Sequence, residues 1–392
     1  MRTSASSLLL TCALAFLSYL DLVWLLPHAR ADAASGTVTG QVAVRGNYYW
    51  EKSTRVVAPE VAANISTPQG VRVEASYLLD AITSASTATG VQVDTAFTEK
   101  RNEVHAGLGY EIDLGAQQLD LALSGRYSKE PDYLSRGVGF AASLSLDERN
   151  SVLHFAGYFI TDDVYRIERV AATDDPDRLM ARKAVKVPDG DLNALSLGFA
   201  WDQVLSKSST LTLGYDAALL TGFQANAYRT VAYADGGGVV PEKHPRERTR
   251  HAGYAWFSHF FAATRTAIRA GYRLYRDSWQ LLAHAPDVRI HQEIGPYVEL
   301  RLRYRYYTQS ASEFFRRGGN LRSDEYVTAD PKMTKFHDQT LGLKLRLSLD
   351  FLAFTALDAL RTAVLDWNVE YVFNTNRYGN GVIAQGGLAW SF

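Results

Sequence analysis

Cysteine is almost missing from this 392-residue chain: the single one, Cys12, sits in the first apolar segment. A mature chain that begins after that segment has no disulfide staple, no thiolate nucleophile and no cysteine-held metal. Long apolar runs are missing as well. Beyond Leu26 nothing approaches the roughly 20 consecutive apolar residues of a membrane-spanning helix, which excludes a helical membrane protein. Neither charge sign dominates, because 41 Lys and Arg face 42 Asp and Glu for a formal net charge of −1, and that balance argues against a nucleic-acid partner. G-x-S-x-G, H-E-x-x-H and phosphate-loop motifs do not occur, so no catalytic residue, metal ligand or cofactor is assigned and an enzyme is not expected.

Aromatic residues, in contrast, are plentiful, with 22 Tyr and 7 Trp. At the amino end Arg2 precedes an apolar run from Leu8 to Leu26, and Ala29-Arg30-Ala31 stands before Asp32. This order predicts an exported protein, with residues 1–31 a signal peptide cut after Ala31 and residues 32–392 a single domain. The entry into the first strand soon after Asp32 leaves no expected globular plug.

From Val298 onward the chain reads Val-Glu-Leu-Arg-Leu-Arg-Tyr-Arg-Tyr. Glu299, Arg301, Arg303 and Arg305 share one parity and the apolar residues share the other, which is the period of a strand with two unlike faces. The pattern recurs near 37–50, 55–66, 70–81, 102–114, 117–128, 137–147, 151–161, 192–203, 209–219, 249–262, 265–276, 279–294, 296–308, 335–350, 361–374 and 381–392. About sixteen strands of this length, with fourteen as the alternative, predict an all-β transmembrane antiparallel barrel of the Gram-negative outer-membrane type. Soluble-looking averages are compatible with that fold because half of each strand is polar.

Connections supply a second line of argument, since a barrel puts alternate connections on opposite sides of the membrane. Short links around Thr67-Pro68-Gln69, Gly115-Ala116, Glu148-Arg149, Ser206-Lys207-Ser208, Ala263-Thr264 and Gly295-Pro296 fall on one side. The long segments near 82–101, 162–191, 220–248 and 309–333 fall on the other. In 351–361, Phe351, Phe354, Leu357 and Leu360 recur at helical spacing, which predicts a short interfacial helix. Tyr48-Tyr49-Trp50, Tyr306-Tyr307, Trp390 and Phe392 are expected in aromatic girdles at headgroup level. A last strand that alternates up to Phe392 is expected to be recognised by the outer-membrane assembly machinery, with lipid as the other partner.

With the apolar parity turned to lipid, the opposite parity lists the lumen. Its expected lining includes Arg265, Arg269, Arg273, Arg289, Glu299, Arg301, Arg303, Arg305, Lys344 and Arg346. Glu103, His105, Glu111, Asp113, Asp366 and Glu370 form a more acidic side. Two readings follow: a wet, porin-like passage for small hydrophilic solutes whose arginines favour anions, or a lumen filled by salt bridges that conducts little. The segment carrying Gln309, Ser310, Ser312, Glu313, Arg316 and Arg317 is a candidate constriction loop, with an ordinary surface loop as the alternative. Ser258 and His259 alternate onto opposite faces, so they do not make a nucleophile and base. His291 near Asp287 and Glu293 reads as a polar lumenal histidine before a metal ligand.

Two stretches carry a resemblance to a known family: Tyr272-Arg273-Leu274-Tyr275-Arg276-Asp277-Ser278-Trp279, and Arg305-Tyr306-Tyr307-Thr308-Gln309-Ser310-Ala311-Ser312-Glu313-Phe314-Phe315. With echoes at Asp80-Ala81-Ile82-Thr83-Ser84-Ala85-Ser86 and Pro245-Arg246-Glu247-Arg248-Thr249-Arg250, the chain resembles the bacterial domain of unknown function 3570 family. Ser84 stands where that family tends to have glycine. The resemblance implies an outer-membrane barrel and brings no substrate or catalytic residue. Members are often encoded beside small lipoproteins, thioredoxin-like proteins and flavin transferases, which implies an alternative role as a non-conducting scaffold or docking partner in an envelope, redox-linked complex.

Overall fold

The computed structural model describes residues 37–52, 54–84, 97–171, 182–226, 229–232, 238–316 and 325–392. The expected signal segment 1–31 and Arg317 lie outside them. The strands are β1 (Thr39–Glu51), β2 (Thr54–Ser66), β3 (Val71–Ser84), β4 (Phe97–Asp113), β5 (Gln118–Lys129), β6 (Tyr133–Leu146), β7 (Ser151–Ala171), β8 (Arg182–Ser206), β9 (Ser209–Gly222), β10 (Thr230–Ala232), β11 (Val239–Pro241), β12 (Glu247–Phe261), β13 (Thr266–Asp277), β14 (Leu282–Ile294), β15 (Val298–Gln309), β16 (Phe336–Ser348), β17 (Ala363–Asn374) and β18 (Gly381–Ser391). All but β10 and β11 form one closed barrel of sixteen antiparallel strands, each beside its neighbour in the chain. The small hairpin β10–β11 is spliced into the long connection between β9 and β12.

β1 closes the barrel on β18. Gly40 and Phe392 exchange both backbone hydrogen bonds, each 2.9 Å. The Phe392 ring lies where a Cβ on Gly40 would stand, 2.5 Å from it, so glycine there admits the terminal aromatic against the seam.

Alternation dictates what each face meets. On β15 and β16, Leu302 and Leu343 are paired across the strands and remain 50% and 48% exposed. Val44, Val73, Leu108, Leu123, Phe199 and Val369 continue the outward apolar band around the circumference. Such a band is stable only in lipid, which makes this a transmembrane barrel. Arginine in place of Leu302 should cost about 2–4 kcal/mol in the bilayer. The same change at inward Ser196 should stay within about 0.5 kcal/mol. Urea titration of barrels refolded into vesicles measures both.

Several elements depart from the sequence pattern. β7 and β8 run about ten residues past their expected ends. Beyond Val164, β7 has left β6, and β8 joins β9 only from Leu192. Residues 165–171 and 182–190 therefore rise from the long-loop end as a two-stranded ribbon with a register shift at Val164/Tyr165. The segment 350–361 is two 3-10 turns, Asp350–Leu352 and Asp358–Leu360, and not a single helix. Phe354 between them has φ 64 and is 98% exposed, which interrupts the helical path. Tyr49 and Tyr307 face inward, donating to Glu51 and Gln309 at 2.7 Å, so only their neighbours stand in the girdle. Leu349, the last of the alternating leucines from Leu341 that the apolar parity of 335–350 turns to lipid, follows the end of β16 and is buried.

Candidate functional site: a charged wall and its cap

The inward parities of β13 to β17 meet as one wall. Arg303 is bound on both sides, by Asp287 at 2.6 Å and Glu370 at 3.0 Å. Arg289 shares Asp287 at 3.1 Å, and Arg273 reaches Asp216 on β9 at 2.8 Å. Lys344 meets Asp366 at 3.3 Å, Arg305 is 4.0 Å from Asp338, and Arg346 is 3.9 Å from Glu299. Arg301 is held differently: Nη2 donates to the neutral Asn368 at 3.0 Å, and its nearest carboxylate, Glu370, is 3.7 Å away. The His291 ring is 2.7 Å from Glu299.

Arg269 lies over the Trp256 ring at 4.6 Å and Arg289 at 4.8 Å. The indole can lie flat on the wall because Gly271 beneath it has no side chain; a Cβ there would come within 2.3 Å of the ring. Of the basic residues and Glu299 expected to line the lumen, all stand on this wall except Arg265. That residue ends the turn between β12 and β13 with φ 54 and is exposed at the rim. Of the expected acidic side, Asp366 and Glu370 stand on β17 within this same wall, and only Glu103, His105, Glu111 and Asp113 lie apart, on β4.

Facing this wall, Arg72 forks onto Asp120 at 2.9 and 3.0 Å, Arg126 donates to Glu103 at 2.7 Å, and Arg101 is 3.1 Å from Asp80. Glu130, in the adjoining turn between β5 and β6, is pushed by burial up to about 7, with Asp132 and Asp80 adding to the rise against Arg101 and Arg126.

One arrangement escaped the sequence reading. Ser143 Oγ lies 2.8 Å from His154 Nδ1, and His154 Nε2 lies 3.1 Å from Asp202. The nucleophile–base–acid order is present, but the serine is on a regular strand paired on both sides, so neighbouring backbone N–H groups are consumed by the ladder and do not converge as an oxyanion hole. His259 pairs on the outer face with Ser209 at 2.8 Å, not with Ser258.

A folded cap covers the mouth above the arginine wall. Asp277 at the end of β13 organises its footing: Oδ1 accepts from the N–H groups of Trp279 at 3.0 Å and Leu281 at 2.9 Å, and Oδ2 accepts from Arg248 Nε at 2.9 Å. The turn thereby presents Trp279, which with Leu281, Phe314 and Met333 makes a buried apolar cluster. Trp279 and Phe314 meet edge to face at 5.0 Å, and the Arg248 guanidinium lies over the indole at 3.9 Å. Three of the four stretches that carry the family resemblance thus converge here through Asp277, Trp279, Phe314 and Arg248, whereas Asp80 of the fourth pairs with Arg101 elsewhere in the barrel.

Beside this cluster is an ionic one. Fully buried Arg229 lies 2.6 Å from Asp330 and 3.4 Å from Glu242, and Thr328 donates to Glu242. Burial alone would raise the Glu242 carboxyl, yet Arg229, with His244 and Thr328, brings it down to about 2. The backbone bridge Lys243–Val327 ties the β9–β12 loop to the β15–β16 loop, and the bridge Phe315–Thr328 folds the latter onto itself.

The loop expected to constrict the passage is therefore built into the cap. Gln309 donates to the carbonyls of Lys332 and Thr334, Ser310 is bonded to Gln280 and Leu282, and Ser312 N–H donates to Met333. Glu313 accepts from Gln280, and exposed Arg316 donates to carbonyls of its own loop.

Among solved structures the chain is similar to the siderophore receptor PirA from Acinetobacter baumannii, at 11% identity and a TM-score of 0.46 over 86% of this chain and 53% of that one. It is similar to the ferric enterobactin receptor PfeA from Pseudomonas aeruginosa, at 9% identity and 0.46 over 88% and 54%, and to OprD from Pseudomonas aeruginosa, at 8% and 0.43 over 92% and 98%. The chain spans about half the length of the two receptors. No curated protein matches it. The family described as protein of unknown function (DUF3570) matches residues 92–385, and the chain belongs to it.

Proposed function

We propose that this chain is exported, cut after Ala31 and inserted in the bacterial outer membrane, where it passes small hydrophilic solutes passively with a bias towards anions. The observation that carries this reading is a closed ring of sixteen strands with charged side chains inside and apolar ones outside. A ring of that size encloses more volume than its side chains fill. Refolded protein in planar bilayers should give discrete conductance steps, and reversal potentials in a salt gradient should favour anions. A barrel that is folded, inserted and silent would sink this reading.

The folded cap and the ribbon formed by residues 165–171 and 182–190 favour a second reading, a non-conducting scaffold that holds envelope partners. With no cysteine in the described barrel, any redox role would be exercised by what it docks. Deletion of residues 162–191 should then release copurifying partners, whereas their full retention would count against the ribbon as the holding element.

A further inference from the structure

Three guanidiniums and two carboxylates meet on the wall. Asp287 is taken by Arg303 and Arg289, and Glu370 is taken at closest range by Arg303. Arg301 is left with Glu370 at 3.7 Å and a neutral amide. Its buried Nε has no hydrogen-bond partner. The residues paired directly with it across the sheet are His291 on β14 and Lys344 on β16, so a cation or a titratable ring flanks it on either side. Like charges placed opposite one another destabilise a sheet. The Arg301 side chain remains 17% exposed to the lumen, and it stands in the half of β15 nearer the short turns, away from the cap.

We propose that Arg301, with Lys344 beside it and Asn368 as a neutral partner, binds a small oxyanion, a carboxylate or phosphate group carried by the solute. The guanidinium fork matches two oxygens of such a group, and one added negative charge balances the local excess. Arg303 and Arg273 are already neutralised within the wall and serve as structure. This deepens the passage reading and rests on it for its functional meaning, while the binding can be measured without conduction.

The test is calorimetric titration of the full barrel, folded in detergent, with inorganic phosphate and separately with succinate, using chloride as the background anion. Saturable binding is expected, and Arg301→Gln should weaken it about tenfold or more, the equivalent of one charge-assisted hydrogen bond. Arg301→Lys, which keeps the charge and loses the fork, should fall between and serves if the glutamine variant does not fold. Phosphate binding without succinate binding, or the reverse, identifies which group the site takes. No saturable binding of either anion, or binding unchanged in both variants, overturns the site even if the barrel conducts. Saturable, Arg301-dependent binding in a silent barrel upholds the site and removes the passage.

Discussion

Arg229→Met should unfasten the cap while leaving the barrel closed. Removing one member of a buried ion cluster strands the others, and such losses cost about 3–5 kcal/mol. Here the stranded groups are Glu242 and Asp330, both fully buried. Trypsin reports the result, because Lys243 and Arg246 lie in the cap loops and Lys243 is held by its bridge to Val327. Where opening is fast relative to cleavage, the rate follows the open population, so cleavage should rise on the order of a hundredfold or more. Arg316→Met, at an exposed arginine of the same loops, should change it by less than about twofold, the scale of a surface substitution.

The pH dependence sharpens that result because its sign inverts. In the native cap the Glu242 carboxyl is held near 2, below its ordinary 4.5. A depressed folded value adds stability that is complete above the unfolded value and is lost as pH falls through the folded one. Cap protection should therefore weaken between about pH 4.5 and pH 2. In Arg229→Met the same carboxyl is buried without its cation, burial favours the protonated form, and acidification should restore protection. Parallel slopes in the two proteins would show that Arg229 is not what holds Glu242 down.

Much of the barrel was legible because lipid enforces the period of two. Arg301, Arg303 and Arg305 could be assigned a face from the Leu and Tyr residues between them, and a one-residue slip would have turned three charges to the bilayer. That rule, applied consistently, also turns Tyr49 inward between Tyr48 and Trp50. Grouping all three as a girdle weighed closeness to a strand end above parity. The rule fails where there is no lipid. Residues 165–171 and 182–190 are strands with Arg166, Glu168 and Lys186 among them, and no apolar row marks their course. At Phe354 helical spacing was present, but a positive φ breaks the turn. Partner identity was less legible still: Asp287 and Glu370 converge on Arg303 from strands on either side, and Arg229 meets Asp330 across a long stretch of sequence. Alternation says which way a side chain points, but carries no information about what waits there.

Trp279→Ala should untie both loops at once. The indole is 1% exposed; it rests under Arg248, against Phe314, and donates from Nε1 to the carbonyl of Glu247 at 3.1 Å. Truncating a buried tryptophan costs about 3–5 kcal/mol. Because Trp279 belongs to the turn between β13 and β14 and not to either long loop, the loss should appear as faster trypsin cleavage at Lys243, on one loop, and at Arg316, on the other. A double-mutant cycle with Phe314→Ala should give a coupling of about 0.5–1.5 kcal/mol, the range of an edge-to-face aromatic pair. Cleavage that rises only at Arg316 would mean that the loop bearing Arg229 is held by its ion cluster without the aromatic footing. If both sites open and conductance rises with them, the cap narrows the entrance, since nothing on the arginine wall has been altered. Open loops with conductance unchanged would instead place the resistance to ion flow at the wall, where Arg303, Asp287 and Glu370 already span the four strands from β14 to β17.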